Sequence, residues 1–455
     1  MMNRGFQTRT REPSLDGDFE ATACDSVHLS TNLKQYPARL SLRNRKFITM
    51  AKIPTIDDIH AARERISKYA YVTPLEHSTD FSRLLGNDIS HKLENLQLTG
   101  SFKVRGALNA VLSLPKDQLA AGVIAASAGN HAQGVAFGAH QLGIKATIVM
   151  PLGTPLVKLM AVKRWGAEVI QTGETYDEAA DCAASMAHDT GACLIHPFND
   201  PKVIAGQGTI ALEILEQKPD VDAVVVPIGG GGLISGIGIA VKELRPRVQV
   251  IGVQASGADA MAQSLGAGEI RKSPRTLTFA DGIRVARPGD LTFAISRKVV
   301  DQVVTVDDDE IANAVLMMIE TDKSVVEGAG AAPLAALIHK RVGLRGKHVV
   351  LIVSGGNIDV NILSRIIERG LVKTGRLIRI SVTLGDHPGA LAGITDHLAR
   401  FGANVLHVHH NRAFARGRLD ETTVEFALET RGHEHAREIV QGLSRAGYLC
   451  DVIAG

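Results

Sequence analysis

The chain has 455 residues, room for about three domains. Its 50 Lys+Arg against 48 Asp+Glu leave a formal charge of +2, which excludes a global electrostatic pull toward nucleic acid or an anionic membrane. Hydrophobic residues at 45% and charged residues at 22% exclude wholesale disorder, and aromatics at 4% leave too few rings for a base-stacking surface.

In chain order, residues 1–49 show no apolar period and mix basic residues with Glu12, Asp16, Asp18, Glu20 and Asp25. They are expected to be a disordered leader or to precede the true start at Met50, since organelle-targeting peptides are poor in acids. Thr55 and Asp58 then fit a helix entry. The four cysteines, Cys24, Cys182, Cys193 and Cys450, form no CxxC pair; a reducing compartment, the cytoplasm, is expected. Ala223 to Val241 carries no charge, but Pro227 and the glycines 229–232 split it, so no membrane span is expected.

From about residue 54 to 370, β-branched runs (ATIVM, AEVIQ, AVVVPI, VQVIGV, HVVLIVSGG) alternate with helical stretches such as Pro155 to Trp165 and Tyr176 to His188. That alternation predicts parallel strands joined by crossover helices. Three Gly- or Ser-rich turns, SAGNHAQG, GGGGL and SGGN, fall at carboxyl ends of strands, where open α/β sheets bind ligands. After ERGLVKTGRL, expected to be a linker with a boundary near residue 372, the pattern becomes β-α-β-β-α-β, a ferredoxin-like unit over 373–455.

The four glycines between a strand and a helix expose backbone N–H groups at a helix N-terminus, a natural seat for an isolated phosphate. Ser235 breaks the dinucleotide spacing GxGxxG. Taken alone, a flexible loop or close helix–strand packing would also explain the motif. Lys103, among the small and apolar residues of TGSFKVRGALNAV, could lose its proton and act as a nucleophile.

SFKVRGA at 101–107, SAGNHAQG at 127–134, GGGGL at 229–233, ADGIRVARPG at 280–289, EGAGA at 327–331 and SGGN at 354–357 occur in one order. Together they resemble the pyridoxal-phosphate-dependent threonine and serine dehydratases, the tryptophan-synthase-β (fold-type II) class. The resemblance implies two parallel-sheet α/β domains within 50–372, the smaller over about 95–195. It implies pyridoxal 5'-phosphate held covalently by Lys103, with Phe102 against the ring, Asn130 at its phenolic oxygen, Ser354 at its nitrogen and the N–H groups of Gly229, Gly230, Gly231, Gly232 and Leu233 at the phosphate. Lys103 would also shuttle the α-proton, and Ser127, Ala128, Gly129, Asn130 and His131 would clasp the substrate carboxylate.

A serine hydroxyl cannot keep the ring nitrogen charged as a carboxylate would, so a long-lived carbanion is disfavoured and loss of a β-substituent competes well. The resemblance implies dehydration and deamination of L-threonine to 2-oxobutanoate and ammonia, with serine a slower substrate, in isoleucine biosynthesis or threonine catabolism. Ala128 stands where racemases of this family carry a second serine, so racemisation should be poor. Gln254, Ala258 and Ala260 replace a Glu-x-x-x-Ala-x-Asp cation run, so no metal is expected there. A hydroxyaspartate dehydratase, a serine racemase and a non-catalytic amino-acid sensor are the rivals.

LGDHPGALAGI and GANVLHVHH resemble an ACT domain, which implies an isoleucine or valine effector bound by the turn of Asp386, Gly389, Ala390 and Leu391 combined with a partner domain, with Asn404 a further candidate; a packing module that binds nothing is the alternative. A homodimer or homotetramer is implied by the same family. His407 and His409 should share a strand face opposite His410, which argues against a metal cluster. Trp165 is expected to pack, and Asp307 to Glu310 to open a helix.

Overall fold

The computed structural model describes residues 52–411 and 418–453; the expected leader and the candidate start at Met50 lie outside them. Fourteen strands are present among the described residues: β1 (Leu75–His77), β2 (Asp88–Leu93), β3 (Val123–Ala126), β4 (Ala146–Met150), β5 (Glu168–Gln171), β6 (Cys193–Leu194), β7 (Ala223–Pro227), β8 (Gln249–Ala255), β9 (Gln302–Val306), β10 (His348–Val353), β11 (Leu377–Gly385), β12 (Asn404–Asn411), β13 (Glu421–Glu429) and β14 (Leu449–Val452). They form three sheets, ordered β1-β2-β10-β7-β8-β9, β5-β4-β3-β6 and β12-β13-β11-β14.

The first two sheets are parallel except for β1, which pairs antiparallel with β2. In the six-stranded sheet alternate residues enter two separate cores. Val225, Val253, Leu351 and Val353 join one, and Val224, Val226, Val250, Val350 and Ile352 the other. Both faces are covered, which is why these strands read as continuous apolar runs. The four-stranded parallel sheet has its own core around Val135, Ile148, Val162 and Ile195.

Helix entries follow local chemistry. Thr55 and Asp58 form the expected capping box before helix Ile56–Ile66. Asp307 and Glu310 form another before Asp308–Glu320, although Glu310 also pairs with Arg341 at 2.7 Å. The expected linker is largely helical: residues 368–373 close helix Val360–Lys373, and only Thr374, Gly375 (φ +67) and Arg376 separate it from β11. Arg376 ties the junction to Glu320 at 2.5 Å.

The C-terminal sheet is antiparallel throughout, with helices Ala390–Arg400 and His433–Arg445 covering a core of Ile380, Val382, Ile394, Phe426 and Leu443. Its β-α-β-β-α-β order matches the ferredoxin-like expectation. Among the described residues no helix is long and apolar enough to cross a membrane.

Candidate active site

β3, β7 and β10 end at Ala126, Pro227 and Val353, and the three turns expected to carry chemistry follow directly. The SGGN turn is stitched to the lysine segment through its backbone. Phe102 N donates to Ser354 O at 3.1 Å and Gly356 N to Gly100 O at 2.9 Å, while Ser101 bridges Gly355. Helix Lys103–Leu112 therefore begins beside the end of β10, with the lysine as its first residue.

Lys103 Nζ donates to Pro197 O at 3.0 Å and sits 5.2 Å from the Phe102 ring centroid. Burial pulls its amine down to about 8, with Glu327 pulling the other way, so about a tenth is neutral near pH 7, far more than for an ordinary lysine. Pro197 belongs to a loop folded around His196, whose Nδ1 accepts from Phe198 N at 3.2 Å and Asn199 N at 2.8 Å. Burial, then the Lys103 charge, lowers His196 to about 4, and the ring stays a neutral acceptor.

Lys103 and Phe102 line one small pocket with Phe198, Pro227, Gly229, Gly230, Gly231, Gly232 and Leu233. Gly231 is the N-cap of helix Gly232–Leu244 with φ +94, a conformation that favours glycine. A methyl on Gly230 would overlap the Phe198 ring. The loop is held from behind by Thr292, whose hydroxyl donates to Gly230 O at 2.6 Å. The first N–H groups of a helix lack intrahelical partners, so this cradle presents donors and a positive dipole end to an anion.

Asn130 opens helix Asn130–Leu142. Its Nδ2 donates to both carboxylate oxygens of Glu327 at 3.0 Å, and its Oδ1 accepts from Asn357 Nδ2 at 2.8 Å. Ser127 Oγ accepts from Gly129 N at 3.2 Å, leaving its O–H to donate outward. Ala128 and Gly129 are half-buried in the same turn. The His131 ring is buried and committed through Nε2 to Ile195 O at 2.9 Å, so it offers the turn its backbone rather than its imidazole. Ser354 is buried.

These residues fit pyridoxal phosphate. A partly neutral buried amine, an aromatic face and a glycine cradle that side chains would fill converge on one pocket, with an amide and a hydroxyl at adjoining strand ends. Sequence reasoning gave no role to Pro197, Phe198, His196 or Glu327. The last was visible as the acid of EGAGA, but its partner Asn130 is 197 residues away.

Gln254 makes hydrogen bonds where a carboxylate would attract a cation. Its Nε2 donates to Ile228 O at 3.3 Å and Ala258 O at 3.1 Å, and its Oε1 accepts from Ala262 N at 2.8 Å. Trp165 packs edge-on against Phe137, centroids 5.0 Å apart.

The effector residues expected of the C-terminal unit fall at two separate places along the sheet. Asp386, Gly389, Ala390 and Leu391 follow β11, whose last residue Gly385 pairs with Glu421. Asn404 pairs with Glu429 at the other end of β13, ~26 Å away at the usual rise per strand residue, and its amide is taken by Glu429 at 3.1 Å. His407 and His409 pair with Ala427 and Glu425, and His410 with the buried Val424, which sets His410 on the opposite face.

Comparison with known proteins agrees with this geometry. The family model "pyridoxal-phosphate dependent enzyme" matches residues 66–355. L-threonine ammonia-lyase of Geobacter sulfurreducens is 49% identical over 396 residues, 87% of this chain and 98% of that protein. The Thermotoga maritima enzyme of the same name is 48% identical over 399 residues, 88% of this chain and 99% of that one. Among solved structures, the processed form of threonine deaminase isoform 2 from Solanum lycopersicum is 38% identical with a TM-score of 0.65, covering 70% of this chain and 96% of that one. Maize serine racemase is 39% identical with a TM-score of 0.67, covering 71% and 99%. With the fold, the lysine pocket and these relatives in agreement, the chain belongs to the pyridoxal-phosphate-dependent enzymes of fold-type II.

Proposed function

We propose that the chain is a threonine ammonia-lyase, converting L-threonine to 2-oxobutanoate and ammonia, with L-serine giving pyruvate more slowly. The observation that carries this reading is the makeup of the pocket around the buried Lys103 amine. Besides the glycines and Pro227 it is lined by Phe102, Phe198, Leu233, Ile283 and Val285, and Lys103 is the one charged side chain among the described residues lining it. These walls and the glycine N–H groups suit the ring and phosphate of the cofactor beside the amine that would capture its aldehyde. Relatives bearing the threonine ammonia-lyase name match over nearly their whole length, which supports the same substrate.

When bound, pyridoxal phosphate supplies an aldehyde that captures amines and a conjugated ring that draws electrons from the substrate's α-carbon. In this reading Lys103 holds the cofactor in the resting enzyme and then moves the α-proton, a task suited to an amine lowered to about 8. Phe102 packs against the ring and Asn130 donates to its phenolic oxygen. The N–H groups of Gly229 to Leu233 hold the phosphate, and the Ser127–His131 turn orients the substrate carboxylate. Ser354 would meet the ring nitrogen with a neutral hydroxyl, which suits loss of the β-hydroxyl as water.

The likeness to maize serine racemase favours racemisation as the second reading; the methyl group of Ala128 cannot donate a proton to the opposite face of the substrate. The C-terminal unit acts in this proposal as an ACT-type regulatory module responding to isoleucine or valine, in a cytoplasmic homodimer or homotetramer of amino-acid metabolism. Purified protein offered threonine, serine and hydroxyaspartate, with 2-oxo acid release and the chirality of residual serine followed, tests the assignment. Fastest release from threonine with no D-serine supports it; no keto product from any of the three overturns it.

A further inference from the structure

Beyond the residues assigned above, we infer that Glu327 is the positioning residue that aims the Asn130 amide at the cofactor's phenolic oxygen. An asparagine amide can present either its oxygen or its nitrogen, and its neighbours decide which. Asn357 Nδ2 donates to Thr99 O and to Asn130 Oδ1, both at 2.8 Å, so the Asn130 oxygen must face Asn357. The Glu327 carboxylate accepts from Asn130 Nδ2 on its other side. A flipped amide would set oxygen against carboxylate and nitrogen against nitrogen, two mismatches in a buried site. The two Glu327 oxygens, both 3.0 Å from Nδ2, can share one Asn130 hydrogen as a three-centre bond, and the carboxylate that holds it sets the direction of the other.

Glu327 is itself fixed. It is 3% exposed, its N–H donates to Gly355 O at 3.0 Å, and methyl groups at Gly355 and Gly282 would lie 2.5 Å and 3.0 Å from Oε1. Only glycine at these two positions leaves room for the side chain. The charged groups facing it are Asp281, Lys158 and Lys103, and Lys158 pairs with Asp281 at 2.5 Å. Burial and then the Asp281 charge push Glu327 up to about 7, while the Asn130 hydrogen bond, Lys158 and Lys103 act downward. Above that pH the acid is an anion that accepts strongly; below it the proton weakens its hold on Asn130.

The inference rests on the proposed contact between Asn130 and the cofactor, and the test separates the two. Pyridoxal phosphate affinity and the absorbance maximum of the bound cofactor are measured for wild type, Glu327→Gln, Asn130→Ala and the double variant. Each single change should weaken binding by roughly tenfold, the scale of a lost charge-assisted hydrogen bond, and shift the maximum. The double variant should be no worse than Asn130→Ala. Wild-type affinity and spectrum in Glu327→Gln, or losses that add in the double variant, would overturn the inference. If Asn130→Ala alone behaves as wild type, the Asn130 contact fails and this inference with it, while the Lys103 assignment stands. Should Glu327→Gln not fold, Glu327→Asp takes its place: a carboxylate set back by one methylene should still weaken binding and shift the maximum, and a wild-type affinity and spectrum in it would be equally fatal.

Discussion

Arg105 grips Glu94 with both arms of its guanidinium, Nε to Oε2 at 2.8 Å and Nη2 to Oε1 at 2.7 Å, inside the core. Its Nη1 reaches Glu213 at 2.5 Å, and Glu213 also takes Lys92 at 2.6 Å. Two cations and two anions thus balance where all four are buried. The network anchors the helix that Lys103 begins, two residues ahead of Arg105. Arg105→Ala leaves two carboxylates short of a partner and should cost about 3–5 kcal/mol, the range for breaking a buried pair. Arg105→Lys should recover only part, because an ammonium cannot fork. Urea unfolding of the apoprotein measures both.

Gly231→Ala places a side chain at φ +94, where its Cβ would lie 2.9 Å from Thr292 Cβ. Left-handed strain alone is about 1–2 kcal/mol. Displacement of the helix N-terminus should weaken pyridoxal phosphate binding by roughly 5- to 30-fold, the factor carried by that energy. Equilibrium dialysis of the cofactor checks this.

Cofactor capture needs the neutral Lys103 amine, and that amine is lowered to about 8 mainly by burial. The rate of covalent pyridoxal phosphate uptake by apoprotein should therefore rise with pH through about 8 and level off above it. For stability the sign is the same. Between about 8 and the ordinary lysine value of 10.5 the unfolded chain binds more protons than the folded one, so the cost of burying this amine shrinks as pH rises. Stopped-flow absorbance across that range reads the uptake rate.

Much of the site was legible because its punctuation is local. Glycine turns at strand ends and a lysine among small residues are set by neighbours within a few positions, and the β-α-β-β-α-β order is set by short periodic runs. What escaped depends on distant partners. β2 (DISHKL) shows no apolar period, yet Ser90, His91 and Lys92 are buried, since Lys92 finds Glu213 121 residues away and His91 meets Asp322 at 3.1 Å. Glu327 was hidden for the same reason. The expected linker proved mostly helical although Gly370 weakens a helix locally: that glycine sits so close to Leu316 that a methyl there would overlap its side chain, and the helix runs on to Thr374 and Gly375. Asn404 and the Asp386 turn lie at opposite ends of β13, a spacing set by strand pairing that no local motif shows.

That separation yields a prediction for regulation. If isoleucine binds at the turn after β11, Asp386→Ala should abolish the change in threonine turnover on adding isoleucine, while Asn404→Ala, at the far end of the sheet, should leave most of it. Equal loss in both variants would mean that the two ends meet across a subunit contact. Steady-state rates with and without isoleucine distinguish the outcomes.

The central claim is tested most directly by borohydride trapping of the protein loaded with pyridoxal phosphate, mass-spectrometric location of the pyridoxyl label, and parallel assay of 2-oxobutanoate from threonine. The account predicts the label on Lys103 and a loss of at least ~10³-fold in turnover for Lys103→Ala. A label on another lysine, or wild-type turnover in Lys103→Ala, would contradict it.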